Sequence, residues 1–282
     1  MTPMRAVRSL RPPPSAILAV APTFVVAPAL VVALIFALAL PGGPAAADAD
    51  AETGRAVEIV DGDTLVLADG RQVRLVGIQA PKLPLGRPSF TPWPLGEAAK
   101  RALADLALGK TLTLTYGGAR RDRYGRALAH LRDGDGLWIQ GALLERGMAR
   151  VYSFADNRAR VAEMLAREAT ARDAGRGIWA HPFYAVRTPT SATRHIGGFE
   201  LVEGRVRDAA LVRGRVYLNF GADWRSDFTV ALDPAARRLF AAAGRDPLSL
   251  DGERIRVRGW ITSYNGPMIE ATHPEQIEVL DR

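Results

Sequence analysis

Short stretches of alternating apolar and polar residues predict β-strands in the first half of the chain. They cover residues 55–60, 64–67, 72–78, 111–116 and 127–132. Turn residues separate the first three stretches, because Asp61-Gly62-Asp63 breaks the alternation and Asp69-Gly70 is typical of a tight hairpin. We therefore expect this region to begin as an antiparallel meander.

Apolar residues at helical spacing predict three helices in the same region. They cover residues 97–108, 137–146 and 156–174, and each is followed by a glycine. Residues 80–94 hold five prolines and are expected to be loop or extended chain. Five strands and three helices in about 125 residues indicate an α+β fold with a small closed barrel, which we place at residues 55–182.

A second region of short strands follows residues 187–198, which are rich in Thr, Ser, Pro and Gly and predict a linker. Its pattern predicts one helix after Asp233-Pro234, and strands at residues 199–207, 215–220, 227–232, 254–262, 268–270 and 277–280. These elements predict a second small β-barrel over residues 197–282. We expect this second unit to fold alone, without contacts from the first.

The first 47 residues have the pattern of a targeting segment. Arg5, Arg8 and Arg11 precede an apolar run over residues 17–40, which ends shortly before Ala45-Ala46-Ala47. These features are typical of a secretory signal peptide. The run is also long enough to be a retained membrane anchor, and a buried core helix is the remaining alternative. Positive charge before the run and acidic residues after it predict an exported protein, periplasmic or secreted, with membrane contact only if the segment is retained.

Composition narrows the chemistry further. The chain has 37 Lys+Arg against 30 Asp+Glu, and removing residues 1–47 takes away three positive charges, so the net charge falls from +7 to +4. Such a mildly basic body permits a phosphate-rich partner without requiring one. Cysteine is absent, which excludes disulfides, thiolate zinc sites and cysteine nucleophiles.

One ordered set of motifs carries the candidate chemistry. Its members are Asp61-Gly62-Asp63-Thr64 at a strand break, Arg74 on the next strand, Gly77-Ile78-Gln79-Ala80-Pro81, Asp122-Arg123-Tyr124-Gly125-Arg126 and Gly177-Ile178-Trp179. In this order and spacing the set resembles the thermonuclease (staphylococcal-nuclease-like) family, whose domain is an oligonucleotide-binding (OB) barrel. The resemblance covers roughly residues 56–179.

The resemblance implies metal-dependent hydrolysis of phosphodiesters in DNA or RNA. In that family Ca²⁺ and two arginines neutralise the charge of the reacting phosphodiester, and a glutamate deprotonates the attacking water. Carried over position by position, the metal site would comprise Asp63, the nearby acid Asp61 and the backbone carbonyl of Ala80. The phosphate would be held by Arg74 and Arg126, with Tyr124 beside the nucleotide and Tyr152 near a position where a ring stacks on it.

Two positions depart from the family pattern. Gln79 stands where the family has a second metal-binding aspartate, and Lys82 stands where it has the general-base glutamate. The site is thereby about three charge units more positive. Gln79 still has a neutral amide oxygen to offer, but Ca²⁺ or another divalent cation should bind less tightly. A protonated Lys82 cannot act as a base near pH 7.

Other residues favour plainer interpretations. The four histidines show no metal-ligand spacing, and Trp93, Trp138 and Trp179 are expected in the core or as loop anchors. In the second unit, aromatic residues near arginines resemble the ligand surface of OB barrels, although the rings are as readily core residues. The rings are Tyr217, Phe220, Phe228 and Trp260, and the arginines are Arg205, Arg207, Arg213 and Arg215.

Three functions stay open on the sequence alone. The first is an exported nuclease whose activity is weakened at Gln79 and Lys82. The second is a binding module that holds nucleic acid or another polyanion without cleaving it. The third is an envelope-associated protein that uses its barrels for protein contacts. Metal-dependent release of nucleotides would separate the first from the second, and failure to bind any polyanion at low salt would indicate the third.

The targeting segment generates the first prediction. If it is a cleaved signal peptide, the mature protein should begin at or near Asp48, directly after the Ala45-Ala46-Ala47 site. Mass spectrometry of the protein isolated from its native host tests this. Recovery of the chain with intact Met1 from the soluble cytoplasm would contradict export.

Overall fold

The computed structural model describes residues 51–280. The predicted signal peptide or anchor at residues 1–47 lies outside the described residues, and export stays a prediction. Between residues 51 and 280, no helix is both long and apolar enough to cross a membrane.

The first unit is built on a closed five-stranded barrel. The seven strands of this unit are β1 Glu52–Asp61, β2 Thr64–Leu67, β3 Gln72–Leu75, β4 Ile78–Gln79, β5 Thr111–Thr115, β6 Ala127–Arg132 and β7 Arg150–Val151, and five of them form the barrel. The barrel order is β1-β2-β3-β6-β5. The long β1 closes it, because one part of β1 pairs with β5 and the other with β2. The predicted α+β class with an OB-type barrel is confirmed.

Three helices pack on this barrel. They are α1 Gly96–Ala107, α2 Ile139–Glu145 and α3 Val161–Asp173. Their apolar faces join the strands in one core, to which Leu65, Leu75, Leu103, Leu112 and Ile139 contribute fully buried side chains. Each helix matches a predicted stretch, but α1 begins one residue earlier than predicted, at Gly96, and α3 begins at Val161 and not just after Asp156.

The predicted strand over residues 72–78 is wrong in extent. The chain turns at Gly77, whose φ of 81° is in the left-handed region, and β3 therefore ends at Leu75. Glycine suits this turn because residues with a side chain rarely adopt a positive φ. Beyond it, β4 pairs with β7 in a separate two-stranded sheet. Two residues are too few for an alternation pattern, so the sequence did not predict this sheet.

The second unit is a seven-stranded sheet with one helix. Its elements are β8 Phe199–Arg205, β9 Asp208–Val212, β10 Arg215–Asn219, β11 Thr229–Leu232, α4 Pro234–Ala242, β12 Arg254–Ser263, β13 Pro267–Glu270 and β14 Ile277–Val279. The sheet order is β14-β12-β13-β11-β10-β9, and β8 also pairs with β12. Closure into a second OB-like barrel, and the domain boundaries given above, stay predictions. The predicted linker contains a 3₁₀ helix, Pro189–His195, whose Ala192 is buried in the core of this unit.

The two units meet in a buried ion network, and the expectation that the second unit folds alone stays a prediction. Arg258 on β12 is 1% exposed, and its Nη2 lies 2.9 Å from Oε1 of the fully buried Glu168 on α3. Glu278 also binds Arg258 at 2.5 Å. Burial raises the pKa of Glu168, but the charge and hydrogen bonds of Arg258 outweigh it and leave the pKa below its ordinary value.

The buried pair predicts a large stability effect. Glu168→Gln removes one charge and leaves Arg258 short of a partner in the interior, so the free energy of unfolding should fall by about 3–5 kcal/mol. Urea denaturation of the full chain measures it. Glu163→Gln is the matched control, because Glu163 lies on the same helix but pairs with Arg160 and Arg167 nearer the surface. Its loss should be about 1 kcal/mol or less. Equal losses in the two variants would contradict a stabilising role for the buried pair.

Candidate active site

The Asp61-Gly62-Asp63 motif forms the turn between β1 and β2. Close packing around this turn explains why a glycine separates the two aspartates. The backbone N–H of Asp63 donates to Oδ1 of Asp61 at 3.1 Å, which fixes the two carboxylates relative to each other. A Cβ at Gly62 would lie 2.6 Å from the Cβ of Ala80 and 2.7 Å from that of Ala99. Only glycine lets the turn pack this closely against the following segment and α1. We call Asp61 and Asp63 the acid pair.

The Asp63 carboxylate is fully buried and surrounded by donors. The Ala80 N–H donates to Oδ2 at 2.7 Å, and Nη2 of Arg74 lies 3.2 Å from the same oxygen. Lys82 Nζ is 3.0 Å from Oδ1 and 2.8 Å from Oδ2. Burial raises the pKa of Asp63, but the charges of Arg74 and Lys82 and these hydrogen bonds outweigh it, so the pKa lies well below its ordinary value.

The ammonium group of Lys82 is therefore a cation already in contact with the acid pair. Its Nζ contacts both oxygens of Asp63 and lies 3.8 Å from Oδ2 of Asp61. The charge of Asp61 is less well compensated than that of Asp63. Burial and the negative charge of Asp63 therefore raise the pKa of Asp61 above its ordinary value. The sequence predicted that Lys82 would make the site more positive and weaken the binding of a divalent cation. In the structure its ammonium group lies against the carboxylates to which a cation would bind.

Arg74 is fixed by backbone carbonyl groups. Its Nη1 donates to the Leu75 oxygen at 2.7 Å, and its Nη2 donates to the Ile78 oxygen at 2.7 Å. The side chain is only 12% exposed. The guanidinium thus supplies a fixed positive charge beside Asp63, with most of its N–H groups already directed at protein oxygens.

The side-chain oxygen of Gln79 is engaged by Arg150. The amide Oε1 accepts from Nε and Nη2 of Arg150 at 3.0 Å and 2.8 Å. Arg150 is 4% exposed, and burial lowers its pKa to about 10. The expectation that Gln79 offers its oxygen to a cation therefore conflicts with the geometry. Sequence reasoning missed Arg150, since only the pairing of β4 with β7 brings the two residues together.

These residues do not fit a divalent cation. Calcium takes six to eight oxygen ligands, several of them charged, whereas two carboxylates meet here and Lys82 neutralises one of them. Within residues 51–280, no group of three or more Asp, Glu, His or Cys side chains could hold a metal. A calcium ion at Asp63 would have to displace the ammonium group of Lys82.

Arg126 directly precedes β6 and has a different partner from Arg74. The parallel register of β3 and β6 pairs Arg74 with Leu128, two residues after Arg126. Arg126 donates to Oδ2 of Asp122 from Nε at 2.7 Å, and Asp122 also accepts the N–H groups of Tyr124 and Arg126. Asp122, which sequence reasoning gave no role, thus orders this loop. The ring of Tyr124 is 68% exposed.

Tyr152 lies at the boundary between the two units. Its hydroxyl accepts from the indole N–H of Trp260 at 3.0 Å. Its ring packs edge-on against Phe154 and Phe199. The predicted stacking of Tyr152 on a nucleotide stays a prediction, and in this arrangement the ring also joins the second unit to the first.

Comparison with known proteins agrees with the fold. Residues 72–181 match the family model described as Staphylococcal nuclease homologue. An uncharacterized endonuclease of Escherichia coli O157:H7 is 35% identical over 130 residues, 45% of this chain and 76% of that protein. The thermonuclease of Staphylococcus intermedius is 30% identical over 133 residues, 45% of this chain and 77% of that protein. Endonuclease YncB of Bacillus subtilis is 32% identical over 130 residues, 44% of this chain and 60% of that protein. The chain belongs to the staphylococcal nuclease homologue family.

The contact between Lys82 and Asp63 generates a prediction about calcium. Calcium chloride should not raise the unfolding temperature of the unmodified protein, whereas Lys82→Gln frees Asp63 and should introduce a rise that grows with calcium concentration. Lys110→Gln is the matched control, because Lys110 pairs with Asp133 at 2.9 Å elsewhere in the unit. A calcium-dependent rise of equal size in the unmodified protein would contradict the prediction.

Proposed function

We propose that this protein binds phosphodiesters of DNA or RNA at the face of the barrel that carries Lys82 and Arg126, and that it hydrolyses them only weakly with calcium. The observation that carries the proposal is the position of Lys82 Nζ, within 3.0 Å of both oxygens of Asp63. Kinship with endonucleases supports nucleic acid as the substrate class.

Phosphate binding follows from the cations that remain accessible. An ammonium group has three N–H donors, and two of those of Lys82 reach Asp63, so one is left for a phosphate oxygen. The side chains of Lys82 and Arg126 are 25% and 28% exposed. Arg126 uses Nε and Nη2 on Asp122, which leaves Nη1 for a ligand. Arg74 adds charge from its fixed position.

Weak hydrolysis is expected because the general base is missing and Lys82 occupies the position where a divalent cation would bind Asp63. General-base help is typically worth about 10²–10⁴ in rate, or about 3–5 kcal/mol of barrier. A protonated Lys82 bound to Asp63 cannot accept a proton from water. The bond from Arg150 keeps the Gln79 oxygen from the acid pair, so the second family ligand is lost as well.

A second candidate function is binding without cleavage. The same contact between Lys82 and Asp63 favours it, because an internal ammonium group can complete an anion site with no metal at all. The two candidates differ in one observable. Only the nuclease releases short fragments on prolonged incubation at high protein concentration.

Export is also part of the proposal, and only the sequence supports it. The arginines before the apolar run, and the small residues after it, support a location outside the cytoplasm. A secreted or periplasmic protein would meet nucleic acid released from cells.

The decisive experiment restores the family residues. Gln79→Asp combined with Lys82→Glu should raise calcium-dependent cleavage of DNA by at least about tenfold. The gain should stay below the full contribution of a general base, because the buried Arg150 will pair with the new carboxylate at position 79 and compete with calcium for it. Release of acid-soluble nucleotides, with and without chelator, measures the effect.

Two further variants control this experiment. Arg101→Glu makes the same charge change as Lys82→Glu on the exposed side of α1 and should leave cleavage unchanged. Arg126→Ala should weaken binding of DNA in both backgrounds. Strong calcium-dependent cleavage by the unmodified protein would overturn the proposal, since another acid would then act as the base. No gain in a folded double variant, even after Arg150→Met is added, would overturn it too.

A further inference from the structure

The second unit carries a groove that the proposed active site does not use. It has a volume of about 620 Å³, which is within the usual size of ligand pockets, and lies over β9, β10, β11 and β13. The strand register places Asp208, Asn219, Thr229 and Met268 in one row across the sheet. Ala210 and Tyr217 lie in the next row of the same face.

This face is the outer side of the sheet. The residues that alternate with the groove residues, Val216, Leu218, Val230 and Ile269, are buried in the core of the unit. Phe220 and Phe228, two of the four rings singled out in the sequence, are in this core as well, which confirms the plainer interpretation for them. Tyr217 faces the groove instead.

Two exposed rings border the groove. Trp224, in the loop between β10 and β11, is 50% exposed, and Tyr264, in the turn between β12 and β13, is 61% exposed. Asn265 and Gly266, which complete that turn, have φ of 50° and 91°, as a tight hairpin turn requires. Tyr217 lines the groove as well, so three rings contribute to it. Such large rings at the surface are characteristic of ligand contact.

Hydrogen-bonding groups and positive charge accompany the rings. On the floor, Nδ2 of Asn219 donates to Asp208 at 3.1 Å and the Thr229 hydroxyl donates to the Asn219 oxygen at 3.3 Å. Arg225 lies over the Trp224 ring at 4.5 Å. Arg213, at the tip of the turn between β9 and β10, has no acidic partner within the described part of the chain.

We propose that this groove binds single-stranded nucleic acid, with bases stacked on Trp224 and Tyr264 and phosphates near Arg213 and Arg225. Flat rings beside cations are suited to unpaired bases, whose faces are free to stack. Double-stranded DNA hides those faces. The arginines favour a polyanion over a neutral sugar, for which rings alone would suffice. The choice of nucleic acid also rests on the proposed function, because a nuclease unit in the same chain needs such a strand delivered to it.

Anisotropy of a labelled twelve-nucleotide oligo(dT), with the full chain and no divalent cation, tests the groove. Trp224→Ala and Tyr264→Ala should each weaken binding by about tenfold, since a stacked base is worth on the order of 1–3 kcal/mol and tenfold corresponds to about 1.4 kcal/mol. Phe183→Ala is the matched control, because Phe183 is an exposed ring that packs against Trp93 of the first unit and should not affect binding. Circular dichroism of each variant checks folding.

A second readout locates the ligand directly. Oligo(dT) should quench tryptophan fluorescence of the unmodified protein, and Trp224→Phe should lose most of this quenching while still binding, because phenylalanine also stacks. The proposal for the groove and the proposed function of the first unit can be tested separately. Arg126→Ala should weaken binding further in the Trp224→Ala background if the two sites contribute independently.

Three results would overturn the groove proposal. One is unchanged oligo(dT) affinity in folded Trp224→Ala and Tyr264→Ala variants while Arg126→Ala abolishes binding, which would place all binding in the first unit. Another is equal affinity of the groove for duplex DNA. The third is quenching by a neutral cello- or malto-oligosaccharide that competes with oligo(dT), which would make the groove a sugar site.

Discussion

The buried carboxylate of Asp63 is the constraint on which the site depends. A fully buried charge with no partner costs several kcal/mol, and here the neighbouring elements are arranged to compensate it. The turn at Gly62 places the carboxylate against the Ala80 N–H, and carbonyl groups near the end of β3 hold Arg74 beside it. The barrel thus creates a place where positive charge is required. In a calcium-dependent relative a divalent ion meets part of that need, and here Lys82 does.

Replacement of a bound ion by a side chain changes what the site can do. A divalent ion carries two charges and leaves coordination positions open for water and phosphate. An ammonium group carries one charge, activates no water and still donates hydrogen bonds. In the proposed function, the same barrel face therefore keeps electrostatic affinity for phosphate and lacks the means to generate a nucleophile. The bond between Gln79 and Arg150 has the same effect, because it engages the only oxygen of that side chain.

The features of the fold and the site that depend on short-range sequence patterns could be predicted from the sequence. Alternation and turn residues located the barrel strands, and the ordered motifs placed Asp63, Arg74 and Lys82 in one site. Three features could not be predicted, since each depends on pairing between distant segments. The partner of Gln79 is a residue of the two-residue strand β7, Tyr152 meets Trp260 across 108 positions, and Glu168 meets Arg258 across 90. Propensity and periodicity carry no information at such separations. The groove rings Trp224 and Tyr264 lie in loops, where no alternation marks them.

These long-range contacts converge on β7. Arg150 binds Gln79 on one side, and its guanidinium lies 4.8 Å from the ring of Phe199, the first residue of β8. The next residue, Val151, donates its N–H to Glu168, the same carboxylate that binds Arg258 of the second unit. The segment that fixes Gln79 is therefore held by contacts from the second unit. Because a buried arginine tolerates little displacement without losing its partners, the second unit is part of the support of the altered site, and the orientation of Gln79 depends on residues well outside the motifs that define the family.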